Sequence, residues 1–139
     1  MRESSQYNRA TAAQVMAHVH LAVDCALDYF GQDNSDFRVY VYPEAPADGS
    51  PATCSVDLAY QRAGIRVNVD EYAEHPELIW PQMGHEVAHL VTREVMRLRP
   101  VLTKPGSFKE TAYTEAIESA TTRLERMWSR DVPDPGWDT

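Results

Sequence analysis

The spacing of the apolar residues changes twice along the chain, and this change constrains the fold more than any other feature. From residue 12 to residue 30, apolar side chains recur every three or four positions, which is the period of one buried helix face. Thr11 and Gln14 match the capping box that begins many helices, and Gly31 is a typical residue just beyond a helix end. We therefore predict an N-terminal helix.

The period then falls to two in three short segments. The stretch FRVYVYP (37–43) alternates in this way and ends at a proline. The stretches TCSVDLAY (53–60) and GIRVNVD (64–70) also alternate, and only the short sequence QRAG links them. We predict that these last two strands form an antiparallel hairpin within a small three-stranded sheet, mixed or antiparallel.

The helical period returns in the second half of the chain. Pro76 suits the first turn of a helix, which we predict to run to about Leu98, two residues before Pro100. Whether Pro81 kinks this helix or marks its true start stays open. A last helix is predicted from about Lys109, with one apolar stripe: Tyr113, Ala116, Ile117, Ala120, Leu124 and Met127.

The predicted order is helix, three strands, helix and helix, which is typical of the α+β class. A length of 139 residues fits one domain spanning residues 1–139. Within it we expect a core over about residues 9–128. The Pro- and Asp-rich tail, 129–139, is predicted to be irregular.

The charge and the cysteines limit the expected partners and compartment. A net charge of −8 argues against sequence-independent nucleic-acid binding and against rest on an anionic membrane. No secretory signal pattern and no apolar run of ~18 residues occurs. The two cysteines, Cys25 and Cys54, lack metal-binding spacing, which favours free thiols in a reducing compartment. We expect a cytoplasmic protein with no nucleic-acid or membrane partner.

The sequence His85-Glu86-Val87-Ala88-His89 lies within the predicted helix and carries the strongest chemical signal. Residues four apart lie one turn apart on the same helix face, so both imidazoles can reach one tetrahedral zinc ion at ~2.1 Å. Glu86 is rotated by about 100° from His85, so it is placed to act on water as a general base rather than as a ligand. The pattern predicts one Zn²⁺ per chain.

A catalytic zinc ion needs a third protein ligand, and the last predicted helix offers Glu115 and Glu118, both off its apolar stripe. If the two helices return antiparallel, the residue level with His89 is Glu118, which we favour. Glu115 lies one turn nearer the connection, but its side chain is long, so it remains the alternative. The strand at 64–70 is a candidate sheet edge that could pair with an extended peptide or protein substrate.

His85, Glu86 and His89, followed by a helix with a glutamate ligand, resemble the zincin metallopeptidases of the gluzincin type. The resemblance covers residues 65–126 and is closest to minimal stand-alone members from bacterial and phage genomes. Within EAIESATTRLER (115–126), Glu118 matches the ligand position of those small proteins. The Glu-Ala-Ile pattern of thermolysin-like enzymes would select Glu115 instead.

The resemblance implies a zinc metallopeptidase in which Glu86 activates water. The aspartate that thermolysin-like enzymes carry four residues after the ligand is replaced by Ser119 or Thr122, so support for a zinc histidine must come from elsewhere. Tyr113 is the candidate transition-state stabiliser, although an aromatic on the apolar stripe is more often a core residue. We therefore expect weak or narrowly specific proteolysis. A zinc-binding regulatory module with little peptidase activity, or a metal-free domain, remains the alternative.

Overall fold

The computed structural model describes residues 9–32 and 38–136, and their elements confirm the α+β class. The helices are α1 (Ala12–Tyr29), α2 (Val69–Glu74), α3 (Ile79–Val91), α4 (Arg93–Leu102) and α5 (Phe108–Asp131). The strands are β1 (Arg38–Tyr42), β2 (Ala52–Asp57) and β3 (Arg62–Val67), and a 3₁₀ turn spans Pro76–Leu78. Phe37, placed in the first strand by the sequence pattern, lies outside the described residues.

The capping signals of α1 are confirmed. The backbone N–H of Gln14 donates to the Thr11 hydroxyl at 3.1 Å, and the Thr11 N–H donates to the Gln14 side chain at 2.9 Å. These two bonds satisfy donors that a helix start leaves unpaired. After α1 ends, Gly31 adopts a φ of 70°, a left-handed conformation that glycine adopts without steric cost.

The sheet has the order β1-β3-β2. The predicted hairpin is confirmed, because β2 and β3 pair antiparallel with Cys54 opposite Ile65. β1 joins the other side of β3 in parallel. The prediction that residues 64–70 supply a sheet edge is wrong: β3 is the central strand, and β1 and β2 are the edges. Alternation along a strand reports which face is buried, not which neighbours it has.

The segment after β3 also departs from the predicted strand. β3 ends at Val67, and the side chain of Asn68 accepts a hydrogen bond from the Glu71 N–H at 3.1 Å. This cap begins α2 at Val69, a residue that the period-two pattern had placed in the strand.

The single helix predicted from Pro76 to Leu98 is wrong, because the chain forms the 3₁₀ turn, α3 and α4 in succession. The break follows Thr92, whose hydroxyl donates to the His89 carbonyl at 3.3 Å and so competes with the helical pattern. Pro81 lies in the first turn of α3, where its missing N–H costs nothing, so it marks the start of this helix. Pro100 lies inside α4 rather than beyond it.

Two stacked tryptophans join α3 to α5 in the core. The rings of Trp80 and Trp128 lie 5.0 Å apart at 21°, and the Trp128 indole N–H donates to the Trp80 carbonyl at 2.8 Å. A Cβ at Gly84 would overlap Cδ1 and Nε1 of the Trp128 ring, so glycine is what lets the helices approach here. The two helices are therefore fixed against each other one residue before His85.

The predicted stripe of α5 is partly wrong, because Ala116, Ala120 and Met127 are exposed. The buried residues are Ile117, Thr121 and Trp128. The Thr121 hydroxyl donates to the Ile117 carbonyl at 2.9 Å, which satisfies its polar group inside the core.

The chain beyond α5 is irregular over residues 132–136, as predicted, although α5 itself continues to Asp131. This segment is packed onto the domain. The Val132 carbonyl accepts from the Trp80 indole at 2.7 Å, and Asp134 lies 2.8 Å from Nε2 of buried His18. Residues 137–139 of the predicted tail lie outside the described residues.

Candidate metal centre

His85 and His89 lie one turn apart on α3, and the structure brings their rings together. The ring centroids are 5.1 Å apart, and the planes meet at 84°. Two imidazoles bound to one tetrahedral zinc ion at ~2.1 Å place their centroids roughly 5 Å apart. The separation therefore fits a shared divalent ion.

Glu125 supports His85 from α5. Its Oε1 lies 2.9 Å from Nδ1 of His85, and both side chains are partly buried. A carboxylate at one ring nitrogen fixes the orientation of the imidazole and leaves the other nitrogen, Nε2, for a metal. Sequence reasoning missed this residue because it looked for an aspartate four positions after the ligand. Glu125 follows Glu118 by seven positions, which is two helical turns and therefore the same face.

His89 is partly buried and offers a nitrogen without a partner. Its Nδ1 is inaccessible to solvent and has no hydrogen-bond partner in the described part of the chain. Burial lowers the pKa of His89, and His85 lowers it further, while Glu118 acts in the opposite direction. The neutral ring that results is the form that binds a metal ion. The unpaired nitrogen and the lowered pKa both fit a ligand.

Glu86 lies between α3 and the sheet and is only 8% exposed. Burial, its largest influence, raises the pKa of this carboxyl to about 7, against the opposing effect of His85. Cys54 on β2 is a neighbour: burial, with the Glu86 charge, raises the pKa of its thiol to about 12. A carboxylate with a pKa near 7 is suited to accept a proton at neutral pH and later to return it.

Glu118 and Glu115 are both exposed on α5, but their electrostatic environments differ. The charge of Glu118 raises the pKa of both Glu86 and His89, whereas Glu115 is not among the groups that influence either residue. Across residues 9–32 and 38–136, no three His, Cys, Asp or Glu side chains form a ready-made metal-binding group. The exposed side chain of Glu118 would have to turn inward to complete one.

Tyr113 has a packing role. Its hydroxyl donates to the Val95 carbonyl at 2.8 Å, which ties α4 to α5. The hydroxyl therefore already has a partner within the protein.

The sheet edge beside α3 belongs to β2. Within the described residues β2 pairs with β3 alone, and it also packs on α3. Cys54 and the preceding loop residue Asp48 both interact electrostatically with Glu86. β2 rather than β3 is therefore the edge strand that packs on α3, the helix that carries the two histidines.

Comparison with known proteins finds no matching family model and no significant match among curated proteins or solved structures. No helix in the two described ranges is both long and apolar enough to cross a membrane.

Proposed function

We propose that this chain is a zinc-dependent metallopeptidase that hydrolyses peptide bonds. The observation that carries the proposal is the convergence of the His85 and His89 rings, with Glu125 bonded to one of them. One zinc ion per chain is the cofactor that this arrangement fits, with Glu118 as the third ligand.

A zinc ion held there would polarise the substrate carbonyl and lower the pKa of its water toward ~7. Glu86 is the group that accepts the proton from the attacking water and passes it to the leaving amine. It suits both steps because burial raises its pKa to about 7, close to neutral pH. Glu125 keeps the His85 ring in one orientation. The free edge of β2 binds the extended substrate backbone through main-chain hydrogen bonds.

We expect this activity to be weak or restricted to few substrates. The hydroxyl of Tyr113 is bonded to the Val95 carbonyl, so it is not placed to stabilise an oxyanion. A missing oxyanion donor typically costs a factor of about 10² to 10³ in rate.

The first test measures zinc content and cleavage of an unfolded protein by the native chain and by Glu86→Gln. We expect one zinc ion per chain in both proteins and cleavage by the native chain alone. Cleavage that survives in Glu86→Gln would exclude Glu86 as the base. A native chain without stoichiometric zinc would overturn the proposal.

The third ligand is tested by a matched pair, Glu118→Ala and Glu115→Ala. Both positions are exposed on α5, so neither change should affect folding by more than about 0.5 kcal/mol. We expect zinc loss in Glu118→Ala alone. Zinc loss in Glu115→Ala alone would assign the ligand to Glu115 instead.

A second candidate function is a zinc-binding interaction module with little or no peptidase activity. The bonded hydroxyl of Tyr113 and the outward position of Glu118 favour it. Such a module would bind zinc stoichiometrically in the native chain without cleaving any unfolded protein. Glu86→Gln would then leave its cellular phenotype intact.

We further propose a reducing compartment such as the cytoplasm. Cys25 and Cys54 are both free thiols, and burial raises the pKa of each.

A further inference from the structure

A cavity opens beside the edge strand of the candidate site. It has a volume of about 490 Å³ and lies between the loop that follows β1 and the outer face of β2 and β3. Its lining includes Glu44, Ala45, Pro46, Ala47, Asp48 and Arg66. Thr53 and Ser55 of β2 line the cavity as well, so a peptide paired with the edge of β2 would lie beside it.

The wall of this cavity combines an apolar stretch with one carboxylate. Ala45, Pro46 and Ala47 form the apolar stretch, and Asp48 follows them directly. Long basic side chains bind to such surfaces because their methylene stems contact apolar groups while the charged end reaches a polar one.

The charge of Asp48 is not neutralised within the described residues. The other two charged residues of the lining, Glu44 and Arg66, form an ion pair at 3.6 Å. Asp48 instead accepts hydrogen bonds from the Ser50 hydroxyl at 2.6 Å and from the Ser50 N–H at 3.0 Å. These bonds lower the pKa of Asp48 and hold its carboxylate in one position. The cavity therefore presents one fixed negative charge.

The cavity adjoins β2, and β2 packs on α3, the helix that carries His85, Glu86 and His89. A side chain bound in the cavity would belong to a peptide residue paired with β2 beside that helix.

We infer that this cavity is a substrate subsite for a lysine or arginine side chain of a peptide bound along β2. The inference rests on the proposed peptidase function and adds its substrate class. An acidic side chain is disfavoured because Asp48 repels it, and an apolar side chain of equal length gains the same stem contacts without the ion pair.

The test uses zinc-loaded Glu86→Gln, which should bind peptides without cleaving them. A series of fluorescent peptides carries lysine, norleucine or glutamate at one position at a time, and binding is measured by anisotropy at low salt. We expect lysine to bind about two- to fivefold more tightly than norleucine at one position, the range for an exposed ion pair. Asp48→Asn, introduced into this protein, should bring that ratio to one, because asparagine can still accept the Ser50 bonds.

The matched control is Asp57→Asn, at the end of β2, where the carboxylate lies 3.8 Å from Arg62. This change should leave the lysine preference intact. Equal binding of lysine and norleucine peptides at every position, or a preference that survives Asp48→Asn, overturns the inference.

A parallel cleavage assay with the native chain separates the two proposals. Cleavage without any lysine preference removes the subsite and leaves the peptidase. Failure of the native chain to cleave any peptide removes the peptidase function, and the subsite with it.

Discussion

Helix α5 packs against α3 and α4 in different ways. Against α3 it uses Trp128, which is fully buried, stacks on Trp80 and fills the space above Gly84. Against α4 it uses polar contacts, such as the bond from the Tyr113 hydroxyl to the Val95 carbonyl. The larger apolar side chains of α4 point outward, and Val95 is 47% and Val101 is 75% exposed.

This difference separates a fixed part of the candidate site from an adjustable part. Glu125 lies one turn before Trp128, at the packed end of α5, and it already contacts His85. Glu118 lies nearer the other end and is exposed. Packing therefore holds Glu125 beside the first histidine, while the proposed third ligand, Glu118, has an exposed side chain.

The strongest test of this contrast is Trp128→Ala. Removing a fully buried tryptophan leaves a cavity and breaks the bond to the Trp80 carbonyl, so we expect a loss of about 3–5 kcal/mol in the free energy of unfolding. Urea denaturation measures it. The control is Phe108→Ala at the opposite end of α5, where the ring is 86% exposed and the loss should stay below about 0.5 kcal/mol.

A double-mutant cycle with Gly84→Ala checks the cause. A methyl group at Gly84 overlaps the Trp128 ring, so Gly84→Ala should be costly in the native chain and nearly neutral in Trp128→Ala. If Gly84→Ala lowered the free energy of unfolding equally in the native chain and in Trp128→Ala, the clash would not be with the Trp128 ring.

The next prediction concerns metal affinity. Glu125→Gln keeps the size of the side chain but removes the charge that orients His85, and we expect zinc affinity to fall about 10- to 100-fold. Competition with a chelator of known affinity measures the change. Glu71→Gln, at an exposed position of α2 outside the candidate site, is the control and should leave zinc affinity unchanged.

The buried carboxyl of Glu86 on α3 should make the stability of the metal-free protein depend on pH. The pKa of Glu86 is about 7 when folded and ~4.3 when unfolded, so the folded state binds this proton more tightly. The stabilising contribution is complete below about pH 4.3 and is lost as the pH rises through about 7. Glu86→Gln removes this dependence, and its free energy of unfolding should exceed that of the native chain by about 1–3 kcal/mol at pH 8.

Chelator-treated samples unfolded in urea at pH 4 and pH 8 provide the measurement. The two proteins should differ little at pH 4. Equal stability at pH 8 would contradict the view that the Glu86 carboxylate is held in a poorly solvated position.

What the sequence could predict depends on whether a feature arises from neighbours in the chain or from distant segments. Local signals, such as the Thr11 capping box and the link between β2 and β3, depend on neighbours in the chain, and the structure confirms them. The central place of β3 depends on its pairing with β1, which no pattern within β3 encodes. The cap at Asn68 is local and could have been recognised, but the alternation around it favoured a strand.

The candidate site divides in the same way. His85, Glu86 and His89 lie on one helix, so their positions relative to one another follow from their spacing in the sequence. Glu125 comes from another element, and its place beside His85 depends on how α5 packs against α3. A residue that contacts His85 from another element can lie at any distance from it along the chain, so no sequence spacing predicts it.

The smallest expected change in stability concerns the contact between α4 and α5. Tyr113→Phe removes the bond to the Val95 carbonyl at a partly exposed position, so we expect a loss of about 1 kcal/mol in stability. Hydrogen exchange should locate it: amides of α4 should exchange faster, while those of α3 keep their protection, because Trp80 and Trp128 hold α3 independently. Tyr60→Phe, at an exposed turn position, is the control. If α3 lost protection together with α4 in Tyr113→Phe, the two contact regions of α5 would form one cooperative unit. The contrast between Glu125 and Glu118 would then not follow from the packing of α5.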